Sequence, residues 1–189
     1  MPFIPWRALV LAIPLALFVA SPGAAADVRD GAHDFDFKLG TWTTHIRRLR
    51  APLTGSNDWI ELDGSVVVRP VWGGKALLEE VDARGTDAQG PVARFEGLTM
   101  FLYNPAARQW GMSFSNVKTG RIGSAPFGEF KDGRGVFYDR DTLGGRAILI
   151  RIVWSDIGRD SHRFEQSFSA DGGITWEPNF VAQLTRVTS

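Results

Sequence analysis

The stretch "RAILIRIVWSD", residues 146–156, decides the fold class. Ile148, Ile150, Ile152 and Trp154 stand on one face of an extended chain. Ala147, Leu149, Arg151 and Val153 stand on the other. A period of two is the spacing of a strand, because successive side chains point to opposite faces of a sheet. On a helix the same residues would be spread around the axis. "LGG" (143–145) precedes the run and supplies a hairpin turn. "HRFEQSFS" (162–169) follows, with Phe164, Gln166 and Phe168 alternating against Arg163, Glu165 and Ser167.

Similar runs fill the chain on both sides of this pair. They cover 41–50, 59–72, 76–84, 93–104, 109–116, 125–131, 135–142 and 176–187. Between them lie hairpin-like connectors such as "NPAARQ", "KDGRG" and "ADGGI". Sequential hairpins predict an up-and-down meander, and closing it into a barrel removes the exposed edges. The expectation is an all-β, antiparallel up-and-down β-barrel of about ten strands, wide enough to enclose a small ligand. "DGAHDFDFKLG" (30–40) predicts a short helical or 3₁₀ plug that packs Phe35 and Leu39 against one barrel mouth.

The N-terminus reads as a targeting segment. "MPFIPWR" carries one charge, Arg7, "ALVLAIPLALFVA" (8–20) is apolar, and "SPGAAA" places Ala24 and Ala26 before Asp27. Charge, apolar core and small-residue site are the order of a secretory signal peptide. The apolar run is shorter than the roughly 20 residues that span a bilayer, and Pro14 interrupts it. The expected organisation is a signal peptide at 1–26 and a single domain at 27–189, periplasmic or extracellular, with no stable membrane anchor.

Without Arg7 the 21 basic residues become 20 against 21 acidic. Neutrality argues against a nucleic-acid partner. The absence of cysteine excludes disulfides, zinc-thiolate centres and cysteine nucleophiles. Seven Trp and 13 Phe supply material for a well-filled interior.

"SADGGITW" (169–176) fits the Asp-box pattern of sialidases, Ser-x-Asp-x-Gly-x-Thr-Trp. Its mechanical content is a hairpin. Gly172 and Gly173 permit positive φ, Asp171 can bond backbone across the turn, and Trp176 covers it. A sialidase propeller needs several such boxes and an arginine triad, for which this chain has no room.

"HDFDFKLGTWTTHIRRL" (33–49) resembles the opening of an uncharacterised family of secreted bacterial proteins. The shared pattern is Phe-x-Phe-x-x-Gly-x-Trp, here Phe35, Phe37, Gly40 and Trp42. "RFEGLTMFLYNPAARQW" (94–110) resembles the middle of that family and "FSADGGITWEPNFVAQLTR" (168–186) its ending. The family is a domain of unknown function with a lipocalin-like barrel. "LGTW" (39–42) is also similar to the wider calycin group. That resemblance implies an eight- or ten-stranded barrel around a cavity, with Trp42 packed at the closed end. It implies no particular ligand.

No G-x-S-x-G element, P-loop or dinucleotide fingerprint is present, and Ser124 lies in a loop. His33, His45 and His162 have no metal-ligand spacing. Nitrobindin-like barrels of the calycin group hold haem through a histidine late in the chain, which makes His162 the alternative haem ligand. The rest of that signature is missing, so the expectation is an ordinary strand-edge histidine and no cofactor or metal.

The candidate cavity lining is Trp72, Phe101, Tyr103, Phe114, Tyr138, Ile150, Trp154 and Phe164, with Glu129, Arg140 and Gln166 as polar members. An inward Arg140 would suit a carboxylate-bearing ligand, since its fork binds carboxylates bidentately. Three readings follow. The favoured one is binding of a small, largely apolar ligand. The second is a small enzyme using Glu129, Tyr138, Arg140 or His162 for acid-base work. The third is a structural or interaction protein of the cell envelope with a filled barrel. No catalytic residue is assigned.

Overall fold

The computed structural model describes residues 30–87 and 90–188, so the expected signal peptide lies outside the described residues. Eleven strands follow one another: β1 (Gly40–Leu49), β2 (Trp59–Val71), β3 (Ala76–Asp87), β4 (Gly90–Asn104), β5 (Gln109–Asn116), β6 (Arg121–Ile122), β7 (Phe127–Lys131), β8 (Arg134–Leu143), β9 (Arg146–Ser155), β10 (Ser161–Ser169) and β11 (Glu177–Arg186). The sheet runs β4-β3-β2-β1-β11-β10-β9-β8-β7-β5, and β5 pairs back onto β4. Ten strands therefore close an antiparallel meander, as the alternation predicts. The two-residue β6 is the addition. It pairs only with β5, through Ser115↔Ile122 and Asn116↔Arg121, and forms a flap on the barrel.

The wall is thinnest beside that flap. The short β7 meets β5 only at Trp110↔Gly128 and Gly111↔Phe127. Beyond those pairs an irregular segment takes over. Gly123 N donates to Phe114 O at 2.8 Å, and Met112 N donates to Pro126 O at 3.1 Å. Close approach here needs glycine. A Cβ on Gly128 would collide with the Val136 carbonyl of β8, and one on Gly97 would overlap the Phe114 ring.

One end of the barrel is closed by its own N-terminal segment. Two 3₁₀ turns, Gly31–His33 and Asp36–Lys38, put Phe35 in the axis of the barrel. Its ring is fully buried, with centroids of Phe101, Trp110, Phe130, Phe137 and Trp154 between 4.8 and 5.8 Å away. Burying one such side chain contributes about 1.5–3 kcal/mol. Leu39 packs against the same core.

Side chains from the wall fasten the plug. Trp42 Nε1 donates to Lys38 O at 2.7 Å and Trp110 Nε1 to Gly31 O at 2.8 Å. Arg186 on β11 donates to Leu39 O at 2.7 Å and Phe37 O at 2.9 Å, and its guanidinium lies 4.0 Å from the Trp42 ring centroid. Trp42 thus sits at the closed end, where the calycin resemblance places it.

The other end carries the loop 50–58, the turn 117–120, the turn 144–145 and the Asp-box turn. In that last turn Gly172 and Gly173 have φ of 75° and 92°. Asp171 accepts from Ser169 Oγ, Thr175 N and Thr175 Oγ1 at 2.5 to 3.1 Å. Trp176 Nε1 donates to Gly173 O at 3.0 Å. These bonds make the motif a hairpin fastener.

Candidate functional site

The plug fills only the lower half of the barrel. Above it lies a cavity of about 730 Å³, within the range of small-molecule pockets. Its apolar wall follows from the strand parity. On β9 Ile150, Ile152 and Trp154 line it. Phe95 and Phe101 do so on β4, Met112 and Phe114 on β5, and Phe180, Ala182 and Leu184 on β11. The aromatic rings form a connected ladder. Trp154 lies 4.8 Å from Phe164, Phe164 5.7 Å from Phe180, and Phe180 5.3 Å from Phe95. Phe95 stacks on Phe114 at 5.8 Å with their planes 5° apart.

Polar lining falls into two groups. Arg48, Asn116, Lys118, Thr119, Ser124, Asp139 and Asp141 belong to the open-end portion of the lining. Ser124 Oγ donates to Asp139 Oδ2 at 2.5 Å, tying the irregular wall segment to β8. The second group is almost fully buried and comprises Thr44, Glu79 and Thr99. Glu79 and Thr99 are direct cross-strand partners on β3 and β4.

Behind Glu79 stands Lys38 of the plug, fully buried, with Nζ 2.5 Å from Glu79 Oε2. Nζ also lies 3.7 Å from the Trp154 ring centroid and 4.5 Å from that of Phe101. Burial pushes the Lys38 amine below the ordinary lysine range, and the Glu79 charge pulls the other way. Lys38 itself does not line the cavity, so Glu79 is the member of the pair presented there.

Two further groups in the lining lack partners. Thr44 Oγ1 and Trp154 Nε1 are buried without any hydrogen bond. A buried polar group left in that state costs about 1–3 kcal/mol.

The structure places six of the expected site residues around the cavity: Phe101, Phe114, Ile150, Trp154, Phe164 and Gln166. Gln166 donates to Asn179 Oδ1 at 2.9 Å. The other five lie elsewhere. Trp72 occupies the β2–β3 turn at the closed end and is 68% exposed. Tyr103 is half-buried against Trp110 beside the plug. Glu129 points outward, because Gly128 and Phe130 flank it and Phe130 packs on Phe35. Tyr138 and Arg140 also face outward. Phe137 is fully buried against the plug and sets the phase of β8, so Asp139 and Asp141 turn inward. Tyr138 lies under Trp176 of the Asp-box turn, ring centroids 6.1 Å apart. An inward Arg140 for a carboxylate ligand is therefore corrected to an outward one.

His162 is an interior residue and not the strand-edge histidine expected. It is fully buried, with Trp42 at 4.4 Å, Phe37 at 5.1 Å and Trp154 at 5.7 Å. Neither ring nitrogen has a hydrogen-bond partner. Burial, then the charges of Lys38 and Arg186, push its pKa down to about 3. A haem ligand needs one nitrogen facing a space that can hold the macrocycle, and His162 does not line the cavity. Its placement does not fit that role. Among the described residues no group of three or more His, Asp or Glu side chains could hold a metal ion.

Several lining residues escaped the sequence. Asp139, Asp141, Phe95, Phe180, Thr44 and Thr99 all lie on alternating runs, and their inward parity was the available signal. Lys38 had no such signal, since a charged residue between Phe37 and Leu39 reads as solvated.

No family model and no curated protein matches the chain. Among solved structures, the chain is similar in fold to an S-type phycobiliprotein lyase from Guillardia theta. The two share 14% identity and a TM-score of 0.53, over 86% of this chain and 95% of the other. The likeness establishes a lipocalin-like barrel.

Proposed function

We propose that this chain is a lipocalin-like binding protein that encloses a small, largely apolar molecule in the upper half of its barrel. The carrying observation is the 730 Å³ cavity, open at one end and walled by the Trp154–Phe164–Phe180–Phe95–Phe114 ladder. Apolar walls bury a ligand and a few polar groups orient it, which is the general anatomy of small-molecule pockets. The phycobiliprotein lyase on a similar fold is compatible with this role and does not name the ligand.

Catalysis finds less support. Glu129, Tyr138 and Arg140 face away from the cavity, and His162 is sealed behind the aromatic rings. A barrel filled throughout finds less support, because a cavity of about 730 Å³ lies beyond the plug. The leader supports export, with residues 1–26 removed.

Native mass spectrometry of the protein purified from its own host, paired with the denatured mass, tests both parts. The expected result is a native mass exceeding the denatured one by a small molecule, and a denatured chain beginning at Asp27. A native mass equal to the bare chain would count against a resident ligand. A chain retaining residues 1–26 would count against the leader.

A further inference from the structure

We propose that the enclosed molecule enters and leaves through the side of the barrel between β5 and β8, with segment 117–126 as the door and the Ser124–Asp139 bond as its latch. The inference rests on the reading of the barrel as a binding cavity and deepens it.

The strand ladder leaves a gap at that place. β8 pairs with β7 from Arg134 to Tyr138 and no further. Beyond Tyr138, residues 139–143 have β9 on one side and no strand on the other. β5 meets β7 only at Trp110 and Gly111, so residues 112–116 have no ladder with β7 either. A stretch of wall without a ladder has fewer bonds to break when it parts.

Segment 117–126 covers the gap and hangs from β5. Ser115↔Ile122 and Asn116↔Arg121 pair it with that strand. Gly123 N donates to Phe114 O, and Met112 N donates to Pro126 O. Towards β8, among the described residues, the segment has one hydrogen bond, from Ser124 Oγ to Asp139 Oδ2 at 2.5 Å. Val117 and Ile122 are 80% and 73% exposed, so their side chains do little to hold the segment down.

The cavity lies behind this segment. Val117, Lys118, Thr119 and Ser124 line it, as do Asp139 and Asp141 of β8. The other open-end connections stand apart. No described residue of loop 50–58, of turn 144–145 or of the Asp-box turn 169–176 lines the cavity. At the opposite end Phe35 and its aromatic neighbours fill the axis. Passage between paired strands would have to part a backbone ladder. Between β5 and β8 it parts one side-chain bond.

Stopped-flow capture and release of the neutral dye Nile red tests the door. The chains compared are wild type, Ser124→Ala and Thr54→Ala. Ser124 is exposed, so alanine there should leave the fold intact. Ser124→Ala should speed association and dissociation together, each by about tenfold, from the loss of one bond to a carboxylate. A lost ligand contact would speed dissociation alone. Thr54→Ala removes the Thr54–Ala51 bond in loop 50–58 and should exchange dye at the wild-type rates. A lock supplies the converse. The chain has no cysteine, so Ser124→Cys combined with Asp139→Cys introduces a single thiol pair. Its disulfide form should exchange dye at least about tenfold more slowly than its reduced form in both directions.

Wild-type rates in Ser124→Ala would overturn the proposal. So would a Thr54→Ala chain accelerated as much as Ser124→Ala, or a disulfide form that exchanges as fast as the reduced one. Absence of saturable Nile red binding by wild type defeats the cavity reading itself, a result distinct from bound dye whose exchange ignores the latch.

Discussion

Enclosed by Trp42, Phe37 and Trp154, His162 has neither a hydrogen-bond partner nor contact with solvent. Its folded pKa of about 3 lies below the ordinary histidine value of 6.5. Between those two values the unfolded chain takes up a proton that the folded chain refuses. Stability is therefore retained above pH 6.5 and lost as pH falls towards 3. Between pH 6.5 and 4 the loss attributable to His162 is about 3 kcal/mol. Urea unfolding across that range checks it. His162→Leu, similar in volume, should show a shallower acid decline than wild type, and parallel declines would contradict the assignment. The sequence showed His162 at a strand start and could not show the ring pointing inward among the plug's aromatics. Lys38 was hidden for a related reason. Its turn breaks the alternation that elsewhere separates inside from outside.

Elements were easier to read than faces. The run 146–156 and its neighbours declared their strands because apolar residues recurred at every second position, and β9 kept that phase. In β8 either face could be the inward one, Val136 with Tyr138 or Phe137. Phe137 wins because Phe35 of the plug packs against it, a contact 102 positions apart in the chain that no local pattern encodes. That choice sends Arg140 to solvent and Asp139 to the cavity.

The β10–β11 hairpin was legible down to individual bonds, since every group that fastens it lies within "SADGGITW". Bonds from Thr175 and Ser169 hold the Asp171 carboxyl well below the usual carboxylate range. A depressed pKa of this kind contributes stability above the unfolded carboxylate range, and the contribution is lost as pH falls through and below it. Asp171→Ala should lower the melting temperature by a few degrees at pH 7, with a smaller deficit in strong acid. Thermal unfolding followed by circular dichroism measures both. An unchanged melting temperature at pH 7 would remove the hairpin's role.

At the scale of the molecule, strand number and meander order could be read from hairpin spacing, and the ten-strand closure follows them. Hollowness could not. It depends on how far Phe35 reaches into the barrel and on where β7 stops, which are outcomes of packing between distant segments. The result is a barrel packed solid around Phe35, with a cavity beyond it that the Phe95–Phe180 contact crosses. Ala182 lines the empty half and is the smallest side chain on its wall strand β11 there. Its replacement by Phe adds a ring to the wall of that space.

Nile red titration of wild type and Ala182→Phe, with melting temperatures recorded beside it, addresses the hollow upper half most directly. The account predicts saturable binding of one dye per wild-type chain. It also predicts at least about tenfold weaker binding by Ala182→Phe, whose cavity has lost part of its volume, at a similar melting temperature. No saturable binding by wild type, or equal binding by both chains, would contradict it.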